Sequence, residues 1–94
     1  MAFGIIHRFK GGTAEQYDNL AKAVHPDGGK GMPKGTVLRI AGTTKDGFVV
    51  VALWDSQQAF EDFRDNVLGP AFTTVENGLP GPPDETTFEV HEQV

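Results

Sequence analysis

The sequence predicts an α+β domain with the ferredoxin-like order β-α-β-β-α-β, paired with a second copy through its sheet. Three observations predict this. Two stretches of helical periodicity, each opened by a capping signal, alternate with four strand-like stretches. "TTKDG" separates two strand-like runs, and its Asp46-Gly47 suits a tight hairpin. More strand residues are apolar than two helices on one side of a sheet can cover.

Ala2 to Phe9 reads as the first strand, with Phe3, Ile5, His7 and Phe9 on one face and Gly4, Ile6 and Arg8 on the other. Gly11-Gly12 breaks it. Thr13 then has the character of an N-cap, with Gln16 at the capping-box position. Tyr17, Leu20, Ala21 and Val24 follow as one helical stripe. Pro26 stops the helix near His25, because it disfavours helical geometry in the residue before it. "HPDGGKGMPKG" is a loop rich in glycine, with two prolines. It is no phosphate loop: Lys34-Gly35-Thr36 has the wrong order and lies between a helix and a strand.

Thr36 to Gly42 is the second strand and Phe48 to Trp54 the third, whose unbroken apolar run suggests burial on both faces. Asp55 or Ser56 caps the second helix, Asp55 with Gln58 fitting a capping box. Ala59, Phe60, Phe63 and Val67 form its expected buried stripe. Gly69 is expected to end it, and Pro70 to open a short turn anchored by Phe72 and Val75. "NGLPGPPDE" reads as a stiff linker, and Thr86 to Val90 as the last strand.

With Trp54 toward the helices, the opposite side of the sheet carries Ile6, Leu38, Ile40, Val49, Val51 and Leu53. Such an apolar face marks an interface, and a second copy packed on it is the expected solution. Arg8 and Arg39 are expected on the face opposite His7.

The bulk properties narrow the function classes. The chain has 94 residues, which suits one domain, residues 1–94. It has no cysteine, so a disulfide framework and thiolate metal sites are excluded. Net charge is −5, against nucleic acid as a partner. Charge is uneven, +4 over residues 1–45 and −9 over residues 46–94, where Arg64 is the single Lys or Arg. No leader-like or membrane-spanning pattern opens the sequence, so a cytoplasmic protein without a membrane partner is expected. Three histidines on separate elements form no ligand spacing, so no metal is implied.

With the elements in order, the chain resembles the dimeric α+β barrel superfamily. The resemblance rests on "FGIIHRF", on the hairpin "LRIAGTTKDGFVVVALW" and on "LWDSQQAFEDF". Trp followed by Ser-x-x-Ala-Phe recurs in antibiotic-biosynthesis monooxygenase domains and their haem-degrading relatives. The resemblance implies a ferredoxin-like homodimeric α+β barrel. It also implies a small aromatic or polyketide-like substrate between sheet and helices. That substrate, once deprotonated, itself reduces dioxygen, so no flavin, metal or other cofactor is needed. Trp54 matches a pocket tryptophan at the end of the third strand, and His7 stands where the haem-degrading relatives have an asparagine. Those relatives also carry a histidine late in the second helix, and "NVLGPAFTTV" has none. Tyr17, the single tyrosine, matches no monooxygenase tyrosine.

His7 and Trp54 are therefore the candidate catalytic residues, with Ile5, Tyr17, Phe60 and Phe63 as the candidate pocket wall. Residues two apart share a strand face, and the first and third strands are neighbours in this order, so His7 and Trp54 are expected on one cavity. Each also has a plain structural use. Tryptophan ending a strand is ordinarily packing, and a half-buried histidine ordinarily bonds to backbone or water. His25 reads as a helix-terminal residue, at an end where the dipole favours a cation, and His91 as solvated. The alternative function is a non-catalytic, dimeric binding protein for a small apolar ligand.

Overall fold

The computed structural model describes residues 2–94. Strand β1 (Phe3–Lys10) leads into helix α1 (Ala14–Val24), then β2 (Thr36–Thr44) and β3 (Gly47–Trp54). A second helical segment runs as α2 (Gln57–Phe63), a wide π turn (Arg64–Leu68) and α3 (Gly69–Thr74), before β4 (Asp84–Glu89). The sheet is antiparallel with order β2-β3-β1-β4, the ferredoxin-like arrangement. No helix among the described residues is long and apolar enough to cross a membrane.

Local chemistry accounts for the element ends. Thr13 caps α1: its hydroxyl accepts from the Gln16 backbone N–H, and the Gln16 side chain accepts from the Thr13 N–H. Ser56, not Asp55, caps α2, its hydroxyl accepting from Ala59 N–H at 3.1 Å, so the expected Asp55–Gln58 box does not form. Lys45 and Asp46 make the two-residue hairpin turn, with Thr44 opposite Gly47. Gly69 does not end the second helix. It keeps right-handed helical angles, and the backbone passes through it into α3. Pro70 lacks an N–H and cannot continue the α-helical ladder. The widened turn comes immediately before it.

That turn adds one residue to the helical repeat. The position expected to be buried after Phe63 moves from Val67 to Leu68: Val67 is 39% exposed, whereas Leu68 is buried. The expected stripe is thus corrected at its last member.

The helices cover one face of the sheet, where the core forms two clusters. One comprises Phe3, Ile5, Ala52, Trp54 and Phe60. The other comprises Phe9, Leu20, Val24, Phe48, Leu68, Ala71 and Leu79. Leu79, on the segment read as a linker, is a buried core residue. On the opposite face the register aligns Ile6 and Ile40 with Val51, and Gly4 and Leu38 with Leu53. Ile40 is 57% exposed there, and Leu38 and Phe88 are also exposed. β3 is therefore fully buried on its helix side alone, at Phe48, Ala52 and Trp54. Gly4 serves this outer face. The Phe88 ring lies where a Cβ at Gly4 would sit, so only glycine allows that approach.

Candidate functional site

A cavity of about 50 Å³ lies at the seam between the two core clusters. His7 and Trp54 both line it, as do Ile5, Tyr17, Phe60 and Phe63. Phe60 bridges the two candidates: its ring centre is 5.9 Å from that of His7 and 5.9 Å from that of Trp54. Strand alternation puts Ile5, His7 and Phe9 on this face of β1, and Ala52 and Trp54 on this face of β3.

His7 is 4% exposed, and its Nε2 lies 2.9 Å from Glu85 Oε2. The two residues are cross-strand partners on β1 and β4. Burial lowers the His7 pKa from its ordinary value, and the Glu85 hydrogen bond opposes that shift without reversing it. His7 is thus neutral at pH 7. A carboxylate can only accept, so Nε2 carries the proton and donates, and Nδ1 holds the free lone pair. Glu85 Oε1 in turn accepts from Arg64 Nη1 at 2.9 Å. Arg64 stands on the π turn, its guanidinium carbon 5.2 Å from the centre of the Phe60 ring. The single cation of the second half of the chain therefore orients the carboxylate that orients His7.

Behind this pair lies an open groove of about 620 Å³, bordered by Arg64, Phe72, Pro82, Pro83 and Glu85. His7 and Leu68 border both groove and cavity. The groove has the volume of a small-ligand site; the cavity is smaller than such sites usually are.

The far end of the cavity is polar. His25, Thr36, Arg39 and Trp54 line it, and a β-bulge explains the placement of two of them. Thr36 opposes Trp54 and Leu38 opposes Leu53, leaving Val37 as the extra residue. Thr36 and Arg39, three apart, thereby share the helix-facing side. Arg39 is thus corrected: it lies on the same face as His7, while Arg8 is exposed. Its guanidinium donates to the Gly31 and Gly29 carbonyls, each at 3.1 Å, fastening the glycine-rich loop. Gly35 closes that loop at φ +92, with Trp54 and Ala59 packed where a side chain would project.

His25 ends α1 as expected, as its C-cap. It stacks on Phe63, with ring centres 5.7 Å apart and planes 5° from parallel. Burial, helped by the nearby Arg39 charge, lowers its pKa to about 4. It therefore lines the cavity as a neutral ring and offers the helix end no charge at pH 7. Three buried side-chain atoms find no hydrogen-bond partner among the described residues: His25 Nδ1, Thr36 Oγ1 and Trp54 Nε1. All three belong to residues lining this cavity.

Sequence reasoning found the residues carried by strand alternation and missed Glu85, Arg64, Thr36 and the role of His25. A signal existed for Glu85 alone: it is two residues from Thr87 on the last strand, and one register would set it opposite His7.

The fold has solved counterparts. Rv0793 from Mycobacterium tuberculosis superposes with a TM-score of 0.67 at 16% identity, covering 99% of this chain and 98% of its own. A candidate antibiotic biosynthesis monooxygenase from Chloroflexus aurantiacus gives 0.54 at 18% identity, with the same coverages of 99% and 98%. This chain has their fold. The resemblance read from the sequence thus holds at the level of architecture. No protein-family model matches the chain, and no curated protein matches it.

Proposed function

We propose that this protein is a small, cofactor-independent oxygenase, or a related enzyme, acting on an aromatic or polyketide-like molecule. The observation that carries the reading is buried His7 at the wall of a largely apolar cavity, hydrogen-bonded to the half-exposed side chain of Glu85. A neutral imidazole with its tautomer held by a carboxylate is a general base. Nδ1 takes a proton from an acidic C–H or O–H beside an aromatic ring. Glu85 offsets the positive charge that then forms on the imidazole. The substrate anion passes electrons to dioxygen, a C–O bond forms, and the peroxide anion takes back the proton from His7 Nδ1. Loss of water from the resulting hydroperoxide leaves a ring carbonyl. The groove that His7 also borders is the approach for the substrate. The name of the Chloroflexus protein of this fold agrees with such chemistry.

The same reading includes a homodimer, with the second copy on the face bearing Ile6, Leu38, Ile40, Val51, Leu53 and Phe88. Support comes from the exposure of that face. The alternative, a non-catalytic binding protein, is favoured by one observation, the narrowness of a cavity whose wall is mostly apolar.

Dioxygen uptake with anthrone and with a naphthohydroquinone separates the two. The wild type is expected to accelerate uptake above the background rate. His7→Ala should abolish this while the protein still folds and dimerises. No acceleration by the wild type, or equal acceleration by His7→Ala, would overturn the enzyme reading.

A further inference from the structure

The second end of the cavity has no role in the proton transfer assigned to His7, yet it concentrates unpaired polar atoms. Buried polar groups are ordinarily hydrogen-bonded, and each exception calls for an explanation. Here the exceptions are Trp54 Nε1, Thr36 Oγ1 and His25 Nδ1, all from residues lining one space. Trp54 is 3% exposed, so its indole N–H has no recourse to bulk water. The three come from separate parts of the chain: the end of β3, the start of β2 and the residue after α1. A bulge in β2 is needed to bring Thr36 to this face together with Arg39.

We infer that this end is a polar subsite that holds a carbonyl or hydroxyl oxygen of a ring-bearing ligand through Trp54, Thr36 and His25. The inference rests on the reading of the cavity as a ligand site and adds which part of the ligand it recognises. The chemistry selects a neutral oxygen. Indole N–H can only donate, and a threonine hydroxyl donates or accepts. In neutral imidazole Nδ1 is either a donor or an acceptor, according to the tautomer. The one cation nearby, Arg39, already donates to the Gly29 and Gly31 carbonyls. A carboxylate would therefore be buried without a free counter-charge. The rest of the wall, with Ile5, Leu20, Val24 and Phe63, suits an apolar ring.

A ring does not fit in about 50 Å³, so the wall must yield. His25 and Thr36 bracket the glycine-rich loop, and Arg39 fastens it. None of the loop's residues lines the cavity or belongs to either core cluster, so His25 and Thr36, at its two ends, are joined by a segment outside the core. Its displacement opens the polar end and leaves the His7–Glu85 pair in place.

The test uses two probes of nearly equal shape, phenol and toluene, titrated calorimetrically in nitrogen-flushed buffer where no turnover occurs. Thr36→Val removes the hydroxyl and keeps the shape. It should lower the phenol-to-toluene affinity ratio by about tenfold, as loss of one buried hydrogen bond does. Trp54→Phe should lower the ratio similarly, and is the measurement to read if Thr36→Val does not fold. A crystal grown with phenol should place its oxygen within hydrogen-bond distance of at least two of the three atoms. An unchanged ratio in a folded variant would overturn the subsite. So would failure of phenol to bind the wild type at millimolar concentration, or a crystal with water alone on the three atoms. The oxygenase reading fails separately, by absence of dioxygen uptake, and that result leaves this ratio untouched.

Discussion

His25 offers a quantitative test of the packing around the cavity. Its ring is held between Phe63 and the neighbourhood of Arg39, and its pKa falls from 6.5 to about 4, first through burial and then through the Arg39 charge. One pKa unit corresponds to about 1.4 kcal/mol, so the full shift is worth roughly 3 kcal/mol. The ring is only part-buried, and solvent screening reduces this to about 2 kcal/mol. The sign follows from proton binding. The unfolded chain takes up this proton near pH 6.5, the folded chain only near pH 4. Folding therefore keeps its full His25 contribution above about pH 6.5, loses it as pH falls toward 4, and loses no more below that. Replacing His25 with Phe keeps a flat ring against Phe63 and removes the titration. Urea unfolding at pH 7.5 and pH 4.5 should show the wild type losing about 2 kcal/mol more than His25→Phe on acidification. The His25 imidazole proton followed by NMR should titrate well below pH 6. A titration midpoint at or above pH 6.5, or equal losses in the two proteins, would refute the reasoning, because the ring would then be hydrated.

Other outcomes follow from the same geometry. Val51→Asp on the helix-free face should cost the proposed dimer about 3 kcal/mol or more, seen as dissociation in sedimentation equilibrium; a wild type that sediments as a monomer at micromolar concentration would remove the dimer itself. Phe60→Ala should destabilise the fold by about 3–5 kcal/mol in urea, since this nearly fully buried ring bridges His7 and Trp54; a loss below about 1 kcal/mol would mean the site collapses around the gap. If His7 is the base, the acid limb of the turnover rate should lie below pH 6.5 in the wild type, because burial lowers the His7 pKa; a limb above pH 7 would point to another group. Stoichiometric haem should give no sharp Soret shift, since residues 55–87 contain no histidine; a shift lost on changing His7 or His25 would locate an unforeseen ligand.

The sequence by itself determined the element order, the two capped helices and the apolar face left without helices. These follow from local rules: side-chain period along a strand or helix, and hydrogen bonding at helix ends. It also determined that His7 shares a face with Ile5 and Phe9, since alternation needs no knowledge of a partner strand. Tertiary structure decided what surrounds His7. β4 reaches β1 after a long excursion with no hairpin to set its register, so only packing puts Glu85 opposite His7. The π turn changes which helical residues face inward, which buries Leu68 in place of Val67 and sets Arg64 against Glu85. The bulge at Val37 brings Thr36 and Arg39 to one side, against the alternation read from the chain. In each case one extra residue, or one choice of register, changes which side chains face inward. Local sequence does not fix these choices. The packing of distant elements separates them, and the candidate site is built from those choices.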